Sequence, residues 1–419
     1  MIRGRTLSGQ KTLNNQTNDS SLLKRVKRHV TGREKEFFAA TSPGIEPLCL
    51  TELKTITETG REFSEIKGGV QFTGRITDCF SANLNLRTAN RVLMRIGEFK
   101  ATNFMQLEKK LSGFPWELFL PAGSRPEINT SAKQSRLYHK DAISEIFAES
   151  IDNSFNKKLE LNGIRNPAED SAGELTVKLP EQQIFVRASN DMFIISLDSS
   201  GELLYRRGIK THRAAAPLRE TIAAAILAIS GYDGTEPLID PMCGSGTFSL
   251  EAAMISQKIP AGLFRNFAFM NWPCFEARRW AYIKRKAESG IKPVVITRIF
   301  SSDTDPGACD ALTSCINKYD IFKMVDVERK DFFDLSPCAL TQDKGLVVIN
   351  PPYGNRMGSR ANSNKLFGDV CQKLKKDFTG WKVALIAPDA ALLTSLPFSL
   401  KTQTLHHGGL KIFLLYGRI

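Results

Sequence analysis

The sequence predicts an α/β protein in two parts, a smaller α+β region followed by a larger domain built on a mainly parallel sheet. Short strand–helix–strand units occur between residues 36 and 95, which favours a compact α+β module at the start. From Tyr205 to the C-terminus, apolar strands alternate with helical segments, as a parallel α/β domain requires. Within this second part, Leu346-Val347-Val348-Ile349 is apolar throughout and is typical of a buried parallel strand.

Size and composition are those of a globular protein. The 419 residues suffice for two or three domains, and the hydrophobic (42%) and charged (24%) fractions are ordinary. No apolar run is long enough to cross a bilayer and no apolar leader begins the chain, so we expect no membrane partner. The eight cysteines form no C-x-x-C pair, and the five histidines lack metal-ligand spacing. We therefore expect reduced thiols, a cytoplasmic location and no metal.

The positive charge is concentrated at the N-terminus. Of the formal net charge of +13, residues 1–35 contribute +7, with nine lysines and arginines against two acidic residues. This segment is rich in Ser, Thr and Asn and poor in aromatics, so we expect a disordered basic arm. Such an arm favours a polyanionic partner, and the alternatives are a solvated tail without a role or a transit peptide.

The smaller region begins with a predicted strand at residues 36–40 and a helix from Glu46 to Leu53. A strand at 67–72 and a helix at 77–86 complete a ferredoxin-like module that ends near residue 95. Further strands are predicted at 128–130, 175–179, 184–188 and 192–198, with a helix at 141–151. The predicted division is a basic arm at 1–35, the ferredoxin-like module at 36–95, a second α+β domain at 96–200 and the α/β domain at 201–419.

A glycine loop follows the first strand of the α/β domain. The run from Leu238 to Thr247 is typical of a strand, a loop and a helix start. Glycines let a ligand approach the backbone, and a helix N-terminus favours an anionic group. The dinucleotide fingerprint fails because Ser249 replaces its third glycine, and a P-loop fails because no Lys-Ser/Thr pair follows. The candidate ligand-binding residues are Asp240, Cys243, Gly244, Gly246 and Thr247.

Acidic residues follow the next two predicted strands. Asp303 comes after a strand at 294–300, where a carboxylate can accept both hydroxyls of a ribose. Asp305 is the weaker candidate, because it precedes Pro306 and can cap the following helix. Asp331 can accept from an adenine amine with Phe332 beside the ring, or it can be a turn or cap residue.

The most informative stretch is Asn350-Pro351-Pro352-Tyr353, directly after the buried strand 346–349. Two prolines cannot continue a strand, so the chain leaves the sheet stiffly at the edge where α/β sheets bind ligands. The Asn350 amide oxygen and a proline carbonyl can accept both protons of a planar exocyclic amine, while Tyr353 offers a face for stacking. The amine lone pair is then available to an electrophile. Together with the glycine loop, this pattern indicates amino-group methylation with S-adenosyl-L-methionine, and Asn350 borders both cofactor and target.

Residues 263–272 combine aromatic and basic side chains. Such a stretch can line a pocket for a nucleic-acid base. It can equally be an ordinary buried helix and loop, which is the slightly favoured interpretation.

Together these residues resemble the THUMP-domain class I RNA methyltransferases and, within them, the bacterial 23S rRNA guanine-N2 methyltransferases. The resemblance covers residues 36–419 and depends on the motifs at 240–247 and 350–354, with support from 206–208 and 216–221. It implies a Rossmann-like class I methyltransferase domain preceded by a ferredoxin-like/THUMP α+β RNA-binding region. It also implies methyl transfer from S-adenosyl-L-methionine to a guanine N2 amine of 23S rRNA. The implied RNA-binding residues are Lys133, Ser135, Arg136, Arg206 and Arg207.

Other substrates share this tetrapeptide. A tRNA guanine-N2 enzyme with the same two-part layout is the nearest alternative, and adenine-N6 DNA and glutamine-N5 protein methyltransferases are more distant. A non-catalytic RNA-binding assembly factor is an alternative of a different class. Some large members of the family carry a second methyltransferase domain, which we do not expect here. The sequence predicts neither the modified position nor the oligomeric state.

Overall fold

A computed structural model describes residues 20–162, 181–210, 218–293, 298–352, 360–387 and 389–419. These residues form two seven-stranded sheets. The first contains β1 (Lys35–Thr41), β2 (Phe63–Ile66), β3 (Gly69–Gly74), β4 (Ala89–Lys100), β5 (Glu127–Lys133), β6 (Gln183–Ser189) and β7 (Met192–Asp198). The second contains β8 (Leu238–Asp240), β9 (Ile299–Asp303), β10 (Val325–Arg329), β11 (Leu346–Ile349), β12 (Lys382–Ala387), β13 (Lys401–His407) and β14 (Leu410–Arg418).

Helices cover the sheets, beginning with α1 at residues 20–26, which continues as a π-helical turn at Lys27–Thr31. The others are α2 (Glu46–Ile56), α3 (Ile76–Asn85), α4 (Phe104–Ser112), α5 (Lys140–Asn162), α6 (Glu220–Ile229), α7 (Thr247–Ser256), α8 (Ala277–Glu288), α9 (Pro306–Lys318), α10 (Pro337–Leu340) and α11 (Arg360–Asp377). Short 3-10 helices occupy Trp116–Leu118, Ala268–Asn271, Asp320–Phe322, Phe332–Asp334 and Ala390–Ser395. In the ranges described above, no helix is both long and apolar enough to cross a membrane.

The first sheet is continuous across the boundary that the sequence predicted between residues 95 and 96. Its strand order is β2-β3-β1-β4-β7-β6-β5, and that boundary falls inside β4. Because β4 pairs with β1 on one side and β7 on the other, the two predicted α+β modules share one sheet and one buried core. The predicted strand at 175–179 lies outside the described residues.

Residues 20–31 are helical, so the prediction of a disordered arm is wrong for this part of it. Val26 (3% exposed) and Val30 (1% exposed) lie in the core of the first region. They are four residues apart and therefore share one face of a helix. Arg25 adds an ion pair of 2.8 Å with Glu117. Burial of the two valines thus favours a helix at residues 20–31 despite the high charge of this segment. Residues 1–19 lie outside the described ranges.

The second sheet confirms the predicted α/β domain. Its order is β10-β9-β8-β11-β12-β14-β13, in which β8 to β12 run parallel and β14 is antiparallel to β12 and β13. Chain order reverses at β8, whose neighbours are β9 and β11. Open α/β sheets bind ligands beside the carboxyl ends of their strands at such a point. The predicted residues Asp240, Asp303 and Asn350 end or follow these three strands.

A buried ion-pair network joins the two regions. Arg207 is 4% exposed, its Nε donates to Glu251 Oε1 at 2.8 Å, and its Nη2 donates to the Arg87 carbonyl at 2.7 Å. Arg87 in turn places its Nη1 3.6 Å from Glu251 Oε2. The prediction that Arg207 contacts RNA is therefore wrong, because this guanidinium is enclosed by protein partners and cannot reach a phosphate.

The aromatic stretch at 263–272 is buried between the two regions, which confirms the favoured interpretation. Phe267 and Phe269 are both 0% exposed and belong to the core of the first region. Phe269 stacks on Phe80 of α3 with ring centroids 4.2 Å apart. Arg265 donates to the Leu203 carbonyl at 2.8 Å. The stretch therefore joins the regions and does not line a base pocket.

Candidate active site

A cleft of about 810 Å³ opens at the carboxyl ends of the central parallel strands. The glycine loop after β8, the turns after β9 and β10, and the first residues after β11 form its walls. Seven of the eleven predicted catalytic and cofactor-binding residues border this cleft, namely Cys243, Gly244, Thr247, Asp303, Asp331, Asn350 and Pro352. Residues that are more than 60 positions apart in the sequence are thus brought to one cavity by the parallel topology.

The two glycines of the loop have different roles. Gly244 has φ of 52°, and a Cβ placed on it would meet nothing within 4 Å, so the space in front of it is open to a ligand. Gly246 has φ of 74° at the N-cap of α7, and a Cβ there would come within 2.3 Å of the Leu312 side chain. Gly244 therefore keeps room for a ligand, whereas Gly246 allows α9 to lie close to the loop.

Cys243 shapes the loop and has little reactivity of its own. It is 8% exposed, and its N–H donates to the Ser302 carbonyl at 3.0 Å. Burial raises the pKa of the Cys243 thiol far above its ordinary value, and the charges of Asp240 and Asp303 add to this. The side chain is therefore a neutral, apolar part of the cleft wall.

Lys210 is a site residue that the sequence analysis missed. Its Nζ donates to the Thr247 hydroxyl at 2.7 Å and lies 3.4 Å from Ser245 Oγ and from Glu220 Oε1. Thr247 is the first residue of α7, so the ammonium adds to the positive end of the helix dipole. Lys210 and Glu220 thus offer one cation and one anion next to the loop. No local pattern predicts this contact, because 37 positions separate Lys210 from Thr247.

Asp240 is buried at the end of β8, where it is 1% exposed. The Ser249 hydroxyl donates to its Oδ2 at 2.7 Å, while its Oδ1 has no hydrogen-bond partner among the described residues. Burial raises the pKa of Asp240 to about 7, opposed by the Ser249 hydrogen bond and assisted by the charge of Asp303. The carboxyl group therefore exchanges its proton near neutral pH.

The substitution Asp240→Asn is expected to flatten the pH dependence of stability. The pKa in the folded state, about 7, lies above the ordinary value of 3.8. As pH rises between these values the unfolded chain loses the proton before the folded chain does, so the free energy of unfolding falls. Asparagine removes this dependence because it carries no titrating proton. Urea unfolding midpoints between pH 4 and 8 would check the expectation, and parallel curves for both proteins would contradict it.

Asp303 ends β9 on the cleft wall. Its Oδ2 accepts from the Gly244 N–H at 2.8 Å and its Oδ1 accepts from the Asp305 N–H at 3.0 Å. A carboxylate has about four acceptor positions, so both oxygens can still accept hydroxyl groups. Asp305 accepts from the Gly307 N–H at 2.9 Å as the N-cap of α9, which agrees with the capping role considered for it.

Asp331 also caps a helix, because its Oδ1 accepts from the Phe333 N–H at 2.9 Å. Asp331 nevertheless borders the cleft, and its second carboxylate oxygen, Oδ2, takes no part in this cap. Phe332, expected beside a ligand ring, is 1% exposed and lies against Phe378 with ring centroids 6.0 Å apart. Phe333 is 40% exposed in the same turn. Both rings border the cleft, so the expectation that Phe332 flanks a ligand ring stays a prediction, and Phe333 is a second, more exposed candidate.

Asn350 follows β11 and has an incomplete set of contacts. Its amide oxygen is buried on the cleft wall and has no hydrogen-bond partner within the described ranges. Leaving such an acceptor without a donor costs about 1–3 kcal/mol. Pro351 is buried beside it and Pro352 borders the cleft, whereas Tyr353 lies outside the described residues. The cleft thus presents an acceptor that an amine can complete.

The predicted RNA-binding residues outside the cleft differ in what they offer. Lys133 is exposed, and the side chain of Arg136 is 76% exposed. The Ser135 hydroxyl is used within the turn, where it donates to the Lys133 carbonyl at 3.1 Å and accepts from the Asp191 N–H at 3.0 Å. Arg206 is at the surface with a carboxylate 2.6 Å away. Lys133 and Arg136 therefore have the most accessible charges of the set.

Comparisons with known proteins agree with this arrangement. Two family models match, an RMKL-like methyltransferase domain over residues 207–406 and an RlmL ferredoxin-like domain over residues 36–93. The first match contains the whole cleft, and the second covers most of the predicted ferredoxin-like module. With the two sheets described above, these matches confirm the predicted fold class.

Similar proteins include the ribosomal RNA large subunit methyltransferase K/L of Methylococcus capsulatus, 29% identical over 395 residues, 90% of this chain and 50% of that protein. A Synechocystis protein, named provisionally as an RNA methyltransferase, is 29% identical over 388 residues, 91% of this chain and 96% of that protein. The crystal structure of SMU.472 complexed with SAH has a TM-score of 0.77 and 26% identity, covering 92% of this chain and 99% of that one.

The chain spans about half the length of the K/L methyltransferases that it matches. It spans nearly the whole of the Synechocystis protein and of the SMU.472 chain.

Proposed function

We propose that this chain, which matches an RMKL-like methyltransferase domain over residues 207–406, methylates the N2 amine of a guanosine in large-subunit rRNA, with S-adenosyl-L-methionine as methyl donor. The buried, unpaired Asn350 oxygen on the cleft wall carries this proposal. An exocyclic amine is the donor that an acceptor at the end of a central strand fits best.

The walls of the cleft fit S-adenosyl-L-methionine. Asp303 offers acceptors to ribose hydroxyls, and Asp331 with Phe333 offers an acceptor and an aromatic face to adenine. Lys210 and the N-terminus of α7 suit the carboxylate of the amino-acid group. The cofactor, when bound, supplies a methyl group on a positively charged sulfur. The open space at Gly244 lets these groups meet the backbone without a steric clash.

Asn350 orients the target amine in this proposal. Its Oδ1 accepts one amine proton, and the carbonyl of Pro351 or Pro352 accepts the other, which directs the nitrogen lone pair away from the base plane. Tyr353 stacks on the base. With the cofactor bound, the nitrogen would bond to the methyl carbon as the carbon–sulfur bond breaks and S-adenosylhomocysteine leaves, and the nitrogen would then release one proton to solvent. Holding two reactants in this geometry provides most of the acceleration, and the site needs no strong base.

The first region supports an RNA substrate. We propose that residues 36–95 and 96–200 capture RNA and that residues 201–419 catalyse the transfer, with Lys133 and Arg136 exposed for phosphate contacts. The relative matched over nearly its full length bears an RNA methyltransferase name, and the K/L relatives are named for large-subunit rRNA. A cytoplasmic location suits the eight cysteines, all of which are free thiols.

A methylation assay with three nucleic acids tests the proposal. The protein is incubated with labelled S-adenosyl-L-methionine and, separately, unmodified large-subunit rRNA, tRNA and duplex DNA, and the labelled nucleosides are identified by mass spectrometry. We expect N2-methylguanosine from rRNA. Label in tRNA alone would indicate that tRNA is the substrate, and N6-methyladenine in DNA would contradict the proposal of an RNA substrate.

The substitution Lys210→Met is expected to weaken SAH binding roughly tenfold, because it removes the cation that, from its place 2.7 Å from the Thr247 hydroxyl, would form a charge-assisted hydrogen bond to the ligand carboxylate in this proposal. 5′-Methylthioadenosine lacks the amino-acid group and should bind both proteins equally. Calorimetric titration of the two ligands separates these effects. Lys323→Met, on an exposed turn, serves as the control. Equal losses for both ligands would show that Lys210 supports the loop and does not bind the carboxylate.

A further inference from the structure

Helix α8 (Ala277–Glu288) carries a dense positive charge outside the cleft. It contains five basic residues and one acidic residue. Its inner face includes Trp280 and Ile283, which pack against the core of the first region, and Trp280 lies 5.2 Å from Phe269 between ring centroids. The helix is thus anchored on one side by the aromatic cluster that joins the two regions.

The outer face of α8 is basic and aromatic. Arg278, Tyr282, Arg285 and Lys286 are all exposed, and the last three follow Arg278 by four, seven and eight residues, which places all four on one side of the helix. Tyr282 is 63% exposed. We refer to these four residues as the basic face.

The acidic residues of α8 and its N-cap form ion pairs with basic residues that are not part of the basic face. Glu276 pairs with Arg279 at 3.5 Å, and Glu288 lies 4.0 Å from Lys284. In the described part of the chain no ion pair neutralises Arg278, Arg285 or Lys286. Three cations on one helix face repel each other, and a bound polyanion reduces this repulsion.

We propose that the basic face of α8 binds the phosphate backbone of the RNA substrate, with Tyr282 stacking on an unpaired base. At a rise of about 1.5 Å per residue, Tyr282 lies about 6 Å along the axis from both Arg278 and Lys286, so the cations on either side of the ring can contact the phosphates that flank a stacked base. Arginine with an exposed aromatic ring is a combination typical of single-stranded RNA recognition. This inference depends on the proposed function, since it concerns the substrate of the same active site.

An acidic protein is the competing partner, and the composition of the basic face favours RNA. Protein interfaces depend on a buried apolar centre surrounded by polar residues. The exposed side of α8 offers only Tyr282 and two alanines, Ala277 and Ala281, as apolar surface. Its remaining side chains are charged, which suits a contact dominated by phosphates.

Salt-dependent RNA binding tests the inference. The triple variant Arg278→Gln, Arg285→Gln, Lys286→Gln is compared with Lys375→Gln, Lys376→Gln, Lys401→Gln, which removes the same net charge from exposed positions on α11 and β13, outside the region proposed to capture RNA. Affinity for an unmodified large-subunit rRNA transcript is measured by fluorescence anisotropy over a series of salt concentrations. SAH titration of each protein shows that the cleft remains folded.

We expect the α8 variant to lose more than tenfold in affinity near 0.1 M salt, with the slope of log K against log salt reduced by roughly two. The control variant should stay within about threefold of the unmodified protein. Tyr282→Ala should weaken binding by roughly tenfold without changing the slope, whereas Tyr282→Phe should bind normally.

Unchanged RNA affinity of the α8 variant would overturn the inference and leave the proposed function intact, as would equal losses in the variant and its charge-matched control. Absence of RNA binding by the unmodified protein would overturn both. If the α8 variant binds RNA normally but no longer binds an acidic protein that the unmodified protein binds, the basic face would be reassigned to that partner.

Discussion

Asn350→Ala is expected to lower the rate of methyl transfer by at least a hundredfold. In the proposed mechanism the Asn350 amide oxygen, which has no hydrogen-bond partner among the described residues, fixes the target amine, and a small misplacement of the reacting nitrogen is enough to cause a loss of this size. The kcat should fall far more than the SAH affinity, because the orientation of the amine is used in the transition state. Single-turnover rates and SAH titration measure the two effects separately.

The conservative variant Asn350→Asp makes this prediction specific. Aspartate keeps an acceptor oxygen of the same reach, so it should retain more activity than alanine. A variant with alanine at this position that transfers methyl groups at the normal rate would contradict the proposed mechanism. Equal loss in the two variants would indicate that the amide nitrogen, and not the oxygen, is the functional group.

Arg207→Gln is expected to reduce the free energy of unfolding by about 3–5 kcal/mol, the usual cost of removing one partner from a buried ion pair. Glu251 is 1% exposed and would be left with Arg87, 3.6 Å away, as its remaining cation. The substitution also removes the hydrogen bond to the Arg87 carbonyl that links the two regions. Thermal and urea unfolding, followed by limited proteolysis between the regions, would measure the loss.

The neighbouring residue is the matched control. Arg206→Gln makes the same chemical change one position earlier, but Arg206 is at the surface with a side chain 38% exposed and an exposed partner. Surface ion pairs contribute less than about 1 kcal/mol. The two variants should therefore differ by several kcal/mol, and similar stabilities would show that the buried network contributes little.

The strands and the cleft could be predicted because their signals are local. The apolar run of β11, the two prolines after it, and the glycines before α7 each specify backbone geometry within a few residues. Parallel topology then brings Asp303 and Asn350 to the same edge of the sheet, which is a rule of the fold and not of the local sequence.

The errors concern contacts between distant parts of the chain. Arg206 and Arg207 are adjacent arginines that the local sequence does not distinguish. The partners of Arg207, Glu251 44 positions later and the Arg87 carbonyl, determine that it is the buried one. The charge of residues 20–35 concealed the helical spacing of Val26 and Val30. Lys210 reaches Thr247 only after the domain has folded. In each case a tertiary partner outweighs the local pattern.

The aromatic segment of the catalytic domain has a consequence for how such proteins can be recombined. Phe267, Phe269 and Trp272 belong to the second region in sequence but fill the core of the first region. Backbone hydrogen bonds from Gly262 to Leu84 and from Phe269 to Ser199 extend this sharing. The two regions are therefore not interchangeable modules, and a chimera given a new first region would have to inherit residues 259–288 from the same donor.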